Sequence, residues 1–115
     1  METACRGARR PGGMTVGILP GTDAKTANSW VQIPVCTGMG QARNVILVTS
    51  SDVVLASGGG WGTLSEIAIA VRIGRPVVVH GALSTVISAA IDTQTGIPKP
   101  EIVFADSPAA SVQAV

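Results

Sequence analysis

A glycine-rich stretch between an apolar run and a helical pattern is the part of this sequence best suited to bind an anion. Four of the five residues from Gly58 to Gly62 are glycines, and they follow an apolar run at residues 53–57. Glycines allow positive φ and let the backbone approach a ligand closely. The pattern over residues 63–73 predicts a helix whose N-terminal N–H groups and positive dipole end would face the loop. The stretch therefore predicts an anion site, and a phosphate is the anion that suits it best.

Three side chains beside the glycines have both a structural and a chemical interpretation. Thr63 and Glu66 have the spacing of a capping box, in which Thr63 caps the helix and Glu66 reaches back to its N–H. The residues alone favour capping over chemistry for Glu66, whereas the Thr63 hydroxyl could cap the helix or bind a phosphate. Trp61 could stack on a base or ribose, or shield the loop. The loop fits neither GxGxxG nor GxxxxGK[ST], which disfavours a nucleoside triphosphatase.

Three further polar residues occupy positions that suit ligand binding. Asp23 and His80 each follow an apolar run, at the carboxyl end of a predicted strand, where open α/β sheets bind their ligands. Arg43 is the only basic residue between Lys25 and Arg72. For His80 the residues alone favour a structural role. For Arg43 the alternative to a functional role is a solvated helical residue.

The elements that must position these residues alternate between strands and helices. Strands are predicted at residues 14–19, 53–57, 77–80 and 102–105, and helices at residues 1–10, 63–73, 84–92 and from Ser107-Pro108 onward. Residues 24–40 look irregular, residues 93–100 form a loop, and residues 41–52 suit a helix or a strand equally. The alternation predicts an α/β fold with parallel pairing. Continuous apolar character predicts that strand 53–57 is buried on both faces and that helix 63–73 is nearly enclosed.

Composition limits the chain to one domain, residues 1–115, and excludes several classes of function. Charged residues make up 13% of the chain, against about 25% in typical proteins, so most of its surface must be buried in a core or against a partner. A net charge of +1 gives no electrostatic reason to expect nucleic acid or an anionic membrane as a partner. No apolar run is long enough to span a bilayer, and no signal peptide is visible, which predicts a cytoplasmic location. With one histidine, no multi-histidine metal site is predicted.

Residues 59–66 read Gly-Gly-Trp-Gly-Thr-Leu-Ser-Glu and match the GGxGTxxE signature of the LOG superfamily, once labelled lysine decarboxylase-like. That superfamily includes cytokinin-activating phosphoribohydrolases and molybdenum cofactor carrier proteins. Residues 17–23, 27–28, 37–44 and 74–77 are similar to the carrier branch, so the resemblance covers nearly the whole chain. It implies a Rossmann-like three-layer parallel sheet with a helix at about residues 40–51.

The resemblance implies two functions. The first is a binding protein for a phosphate-bearing small molecule such as the molybdenum cofactor. The residues that would hold the ligand form two groups: Gly58, Gly59, Gly60, Trp61, Gly62 and Thr63, and, facing the same crevice, Gly21, Thr22 and Asp23. The second is a nucleoside 5′-monophosphate phosphoribohydrolase, in which Glu66 assists departure of the base and Arg43 orients the phosphate or ribose. Asn44 and Gly58 replace the Lys and Pro usual in the enzymes, as in the carriers. A non-functional remnant is the third interpretation.

The resemblance also implies that the first two strands of the family's fold precede residue 1. In the family those strands lie between the strands that correspond here to residues 14–19 and 53–57. Without them the sheet would expose apolar surface and unpaired edges. We therefore expect the isolated 115-residue chain to be insoluble or molten and an upstream-extended form to fold; a cooperative melt of the isolated chain would contradict this. Because the family's sites are completed across dimer contacts, a homodimer or higher homo-oligomer is expected.

Overall fold

The structure, a computed structural model, describes residues 1–93 and 101–115. The chain divides into two compact units, Met1–Ile46 and Leu47–Val115. Most of the loop predicted at residues 93–100 lies outside the described residues. A single domain over residues 1–115 stays a prediction.

The first unit is built on two parallel strands. Helix α1 (Glu2–Arg9) precedes strand β1 (Val16–Leu19), and strand β2 (Ile33–Cys36) pairs parallel with β1, with Val16 opposite Ile33. A short 3-10 helix, Ala24–Thr26, lies between the strands. The predicted helix at residues 1–10 and the strand at residues 14–19 are thus confirmed.

The prediction that residues 24–40 are irregular is wrong, because they contain β2. Pro34 lies inside this strand, opposite Gly17, and proline normally argues against a central strand because it cannot donate to a ladder. In the described residues β2 pairs only with β1. An edge position tolerates the missing N–H.

The ambiguous residues 41–52 form a helix, as the resemblance implied. A 3-10 turn at Gly40–Ala42 leads into helix α2 (Arg43–Thr49). Val45 is 50% exposed, whereas Val48 is 1% exposed. One side of this β-branched run is therefore buried and the other is not, which is the burial pattern of an amphipathic helix.

The second unit is a three-stranded parallel sheet with helices between its strands. Its strands β3 (Val54–Ser57), β4 (Val77–His80) and β5 (Ile102–Ala105) lie in the order β3-β4-β5. Helix α3 (Trp61–Arg72) follows β3, α4 (Leu83–Thr93) follows β4 and α5 (Pro108–Gln113) follows β5. The buried apolar residues of this core are Val48, Ala56, Ile67, Ala70, Val77, Val79 and Ile87. The prediction of an α/β fold with parallel pairing is confirmed.

Burial in this sheet differs from the expectation for strand 53–57 and helix 63–73. Leu55 is 43% exposed, so β3 is not buried on both faces. The reason is its place at the edge of the sheet, whereas β4 lies in the middle and buries Val77, Val78 and Val79. Helix α3 is not nearly enclosed either, because Ala68 inside it is exposed and Ile73, its C-cap residue, is 45% exposed.

Two helix ends follow the sequence signals. After α3 the Gly74 N–H donates to the Val71 carbonyl at 3.2 Å and the Arg75 N–H donates to the Ala70 carbonyl at 2.8 Å, with Gly74 at φ +73°. These two bonds form a Schellman motif. At the start of α5 the Ser107 hydroxyl accepts from the Ala110 N–H at 3.1 Å.

Among the described residues, no helix has both the length and the apolar character needed to cross a bilayer.

Candidate functional site

Helix α3 begins at Trp61, two residues earlier than the sequence suggested. Gly60 is its N-cap, and no side chain caps it. The Leu64 N–H closes the first turn on the Gly60 carbonyl at 3.0 Å. Thr63 is consequently the third residue of the helix and Glu66 the sixth. The predicted capping box is wrong, because Gly60 and not Thr63 is the N-cap, so Glu66 is not the N3 residue that this motif requires.

The glycines of the loop serve different purposes. A Cβ at Gly59 would overlap the Thr63 side chain, and Gly59 has φ +106°, so both packing and backbone conformation require a glycine there. A Cβ at Gly58 or Gly60 would meet nothing within 4 Å. Gly60 has φ −130°, which other residues adopt readily. Within the described chain, neither space nor a positive φ demands glycine at position 60, and its backbone faces open space next to the start of α3.

The loop is anchored to the end of the neighbouring strand. The Gly58 N–H donates to the His80 carbonyl at 2.9 Å. A Cβ at Gly81 would lie 3.3 Å from the Gly58 nitrogen, so the backbones after β3 and β4 approach closely. Both segments follow the carboxyl ends of parallel strands, which is where open α/β sheets bind ligands.

Ser57 and His80 form a side-chain pair at this edge of the sheet. They are opposite each other in the register of β3 and β4, and Ser57 Oγ lies 3.3 Å from His80 Nδ1. Ser57 is exposed and His80 is half-buried. Sequence reasoning placed His80 at the ligand edge but missed Ser57. The available signal was a single hydroxyl residue between an apolar strand and the glycines.

The remaining residues of the loop differ in exposure. Trp61 is 87% exposed, so its ring covers little of the chain and does not act as a shield. Thr63 and Glu66 are half-buried. The outer face of the loop therefore presents an aromatic ring beside open glycine backbone.

In the first unit, the turn after β1 is bonded to the turn after β2. The Gly38 N–H donates to the Gly21 carbonyl at 3.0 Å, and a Cβ on Gly38 would lie 3.2 Å from Thr22 Cγ2. Asp23 Oδ1 accepts from the Lys25 N–H at 2.9 Å and caps the 3-10 helix. Gly21, Thr22 and Asp23 are all exposed. One carboxylate oxygen of Asp23 thus has a structural role.

Arg43 contacts the backbone of β1. Its Nη1 donates to the Ile18 carbonyl at 3.0 Å, and its Nε is buried without a hydrogen-bond partner among the described residues. The side chain is half-buried, so the interpretation of Arg43 as a solvated helical residue is wrong.

The structure brings candidate residues together within each unit. Gly21, Thr22, Asp23 and Arg43 belong to the first unit, and the glycine loop with Thr63 and Glu66 belongs to the second. That both groups face one crevice stays a prediction.

Over residues 1–93 and 101–115, no group of three or more His, Cys, Asp or Glu side chains is placed to hold a metal ion.

Comparison with known proteins identifies a family. The model of the SLOG cluster4 family matches residues 1–112. An uncharacterized protein of Archaeoglobus fulgidus is 46% identical over 88 residues, which cover 70% of this chain and 58% of that protein. The chain thus spans less than two thirds of the length of this relative.

Solved structures of related proteins have the same fold. The molybdenum cofactor binding protein from Rippkaea orientalis is 38% identical with a TM-score of 0.85, over 99% of this chain and 68% of that one. The molybdenum cofactor carrier protein from Chlamydomonas reinhardtii is 34% identical with a TM-score of 0.80, over 96% of this chain and 65% of that one. These matches confirm the Rossmann-like fold and the resemblance to the carrier branch.

Proposed function

This chain belongs to the SLOG cluster4 family, and on that premise we propose that it binds a phosphate-bearing small molecule at the loop from Gly58 to Thr63. The observation that carries the proposal is the start of α3. Its N-cap is a glycine, no side chain caps it, and a Cβ on Gly60 would meet nothing within 4 Å. The first N–H groups of a helix and its dipole favour an anion at such a place.

Each part of the loop has a role in this proposal. Gly58 and Gly60 let the phosphate approach the backbone. Trp61 provides an aromatic face for a planar ring, because offset stacking stabilises pairs of aromatic rings. That Gly21, Thr22 and Asp23 also contact this ligand stays a prediction from the resemblance.

The molybdenum cofactor, a pterin phosphate, is the ligand that the solved relatives suggest. It combines a planar ring with a phosphate, and the loop offers an exposed indole beside a helix N-terminus. The loop is compatible with such a ligand, because a Cβ on Gly58 or Gly60 would meet nothing within 4 Å. The protein would then hold the cofactor as cargo and not convert it.

Retention of the cofactor tests this function. The protein is incubated with molybdenum cofactor and passed through a desalting column, and the retained pterin is measured by its fluorescence after oxidation. We expect retention by the natural protein and by Gly7→Ala, a control in α1 where an added Cβ meets nothing within 4 Å, and loss in Gly60→Asp. Equal retention by Gly60→Asp, or none by the natural protein, would overturn the proposal.

The hydrolase is tested in the same preparation. Release of free base from adenosine 5′-monophosphate, abolished by Glu66→Ala, would replace the carrier function by a phosphoribohydrolase. In that reaction Arg43 would have to reach the phosphate or ribose, yet its guanidinium donates to the Ile18 carbonyl. If the protein neither retains the cofactor nor releases the base, the non-functional interpretation remains.

We also propose that the protein forms a homodimer or a higher homo-oligomer. Several large apolar side chains of the sheet and of α4 are exposed, namely Leu55, Val86, Val103 and Phe104. Sedimentation equilibrium measures the mass in solution, and a purely monomeric protein at micromolar concentration would contradict the proposal.

A further inference from the structure

The strand ends beside the loop hold a hydroxyl and an imidazole that the proposed function leaves unused. We propose that the Ser57 hydroxyl, oriented by His80, donates a hydrogen bond to the phosphate of the ligand and makes the site selective for phosphomonoesters. This inference rests on the proposed function.

The backbone holds this pair in place. Ser57 and His80 are register partners, and the next bond of the ladder runs from the Gly58 N–H to the His80 carbonyl at 2.9 Å. A Cβ on Gly81 would lie 3.3 Å from the Gly58 nitrogen, so the segments that follow the two strands are in close contact. The register thus brings the two side chains side by side, and Ser57 Oγ lies 3.3 Å from His80 Nδ1.

Hydrogen-bond chemistry decides what the pair offers to a ligand. A serine hydroxyl has one hydrogen and two lone pairs, and a neutral imidazole has one donor nitrogen and one acceptor nitrogen. A phosphate oxygen is an acceptor. When Nδ1–H donates to Ser57 Oγ, the serine hydrogen is available for the phosphate. His80 in that tautomer is a positioning residue, because it fixes the hydroxyl without touching the ligand.

The charge pattern makes such a donor important. Residues 53–71 contain no Lys or Arg, so no cationic side chain of this stretch meets the phosphate. Within this stretch the donors available to it are neutral, namely the N–H groups at the start of α3 and the hydroxyls beside the loop. Ser57 is exposed and directly precedes Gly58, so its hydroxyl is accessible and its backbone leads into the loop.

A matched pair of probes tests the inference. The probes are the fluorescent pterin phosphate obtained by oxidising molybdenum cofactor and the same pterin after phosphatase treatment, each titrated by fluorescence anisotropy. We expect Ser57→Ala to weaken binding of the phosphorylated pterin about tenfold, since a hydrogen bond to a charged group contributes that much. The phosphate-free pterin should bind both proteins equally. Ser57→Thr, which keeps the hydroxyl, should bind like the natural protein.

His80 is tested through a double-mutant cycle. His80→Ala should weaken binding of the phosphorylated pterin roughly threefold in the natural background, because an unfixed hydroxyl gives a weaker bond. In the Ser57→Ala background the same change should have no effect. A purely structural role for His80 would instead weaken both probes in both backgrounds.

The outcomes separate the two proposals. If the natural protein binds neither probe, or binds both equally, the phosphate site and this inference both fail. If it prefers the phosphorylated pterin and Ser57→Ala keeps that preference, only the inference fails. Circular dichroism melting of each variant shows that the fold is retained, which is expected because Ser57 is an exposed residue of an edge strand.

Discussion

Replacing Gly60 by aspartate should stabilise the protein and weaken its ligand binding at the same time. Gly60 is the N-cap of α3, and an added Cβ meets nothing within 4 Å. An aspartate there can accept hydrogen bonds from the N–H groups of the first turn, which are the donors assigned to the phosphate. The fold and the ligand therefore compete for the same donors.

The magnitudes follow from capping and from charge. A good N-cap residue is a few tenths of a kcal/mol better than glycine, and a carboxylate near a helix N-terminus adds about 0.3–1 kcal/mol. For a chain of this size the sum raises Tm by roughly 2–5 °C. Against this, a carboxylate about 4 Å from a phosphate charge costs about 1 kcal/mol in water and about 4 kcal/mol at an effective dielectric constant of 20. Affinity should fall at least about fivefold per phosphate charge.

Two measurements and one control decide the question. Tm is measured without ligand by calorimetry, and affinity is measured by anisotropy with the pterin phosphate. Gly60→Ala is the control, because it fills the same space without a cap oxygen or a charge and should lower Tm slightly. An unchanged affinity in Gly60→Asp would show that the ligand does not bind at the start of α3. A lowered Tm would show that Gly60 does not act as the N-cap.

Three further substitutions test the fold around the site. Gly59→Ala should destabilise the protein by about 2–3 kcal/mol in urea unfolding, because its Cβ overlaps the Thr63 side chain and its φ is +106°; a change below about 0.5 kcal/mol would contradict this geometry. Gly74→Ala should cost about 1–2 kcal/mol in the same assay, since the Schellman motif holds position 74 at φ +73°. Ser107→Ala should cost about 1 kcal/mol by removing the cap of α5, while Ser107→Asp should restore it; equal stability of both variants would refute the cap.

Local patterns were sufficient for much of the second unit. The apolar run before the glycines, the helix after them and the strand Val77–His80 are visible because strands and helices leave different periodicities in a sequence. Gly74 and Ser107 were readable because each acts within a few residues of itself. The register of Gly, Thr and Glu identified the family, and the family model confirms it.

Several features depended on neighbours distant in sequence. Residues Arg43–Thr49 form a helix despite their β propensity, and this helix buries Val48 and leaves Val45 half exposed. Strand β2 forms despite Pro34 because, in the described residues, it is hydrogen-bonded to a neighbouring strand on one side only. Helix α3 begins at Trp61 and not at the predicted Thr63. A glycine N-cap has no side chain that would indicate the helix start in the sequence.

The sequence by itself determined that a glycine-rich turn joins a strand to a helix and that its residues suit a phosphate. Only the tertiary structure decided what stands beside that turn. Parallel pairing of β3 with β4 brings Ser57 opposite His80, 23 positions apart in sequence. No local pattern encodes this contact, because strand register depends on how the whole sheet buries its apolar side chains.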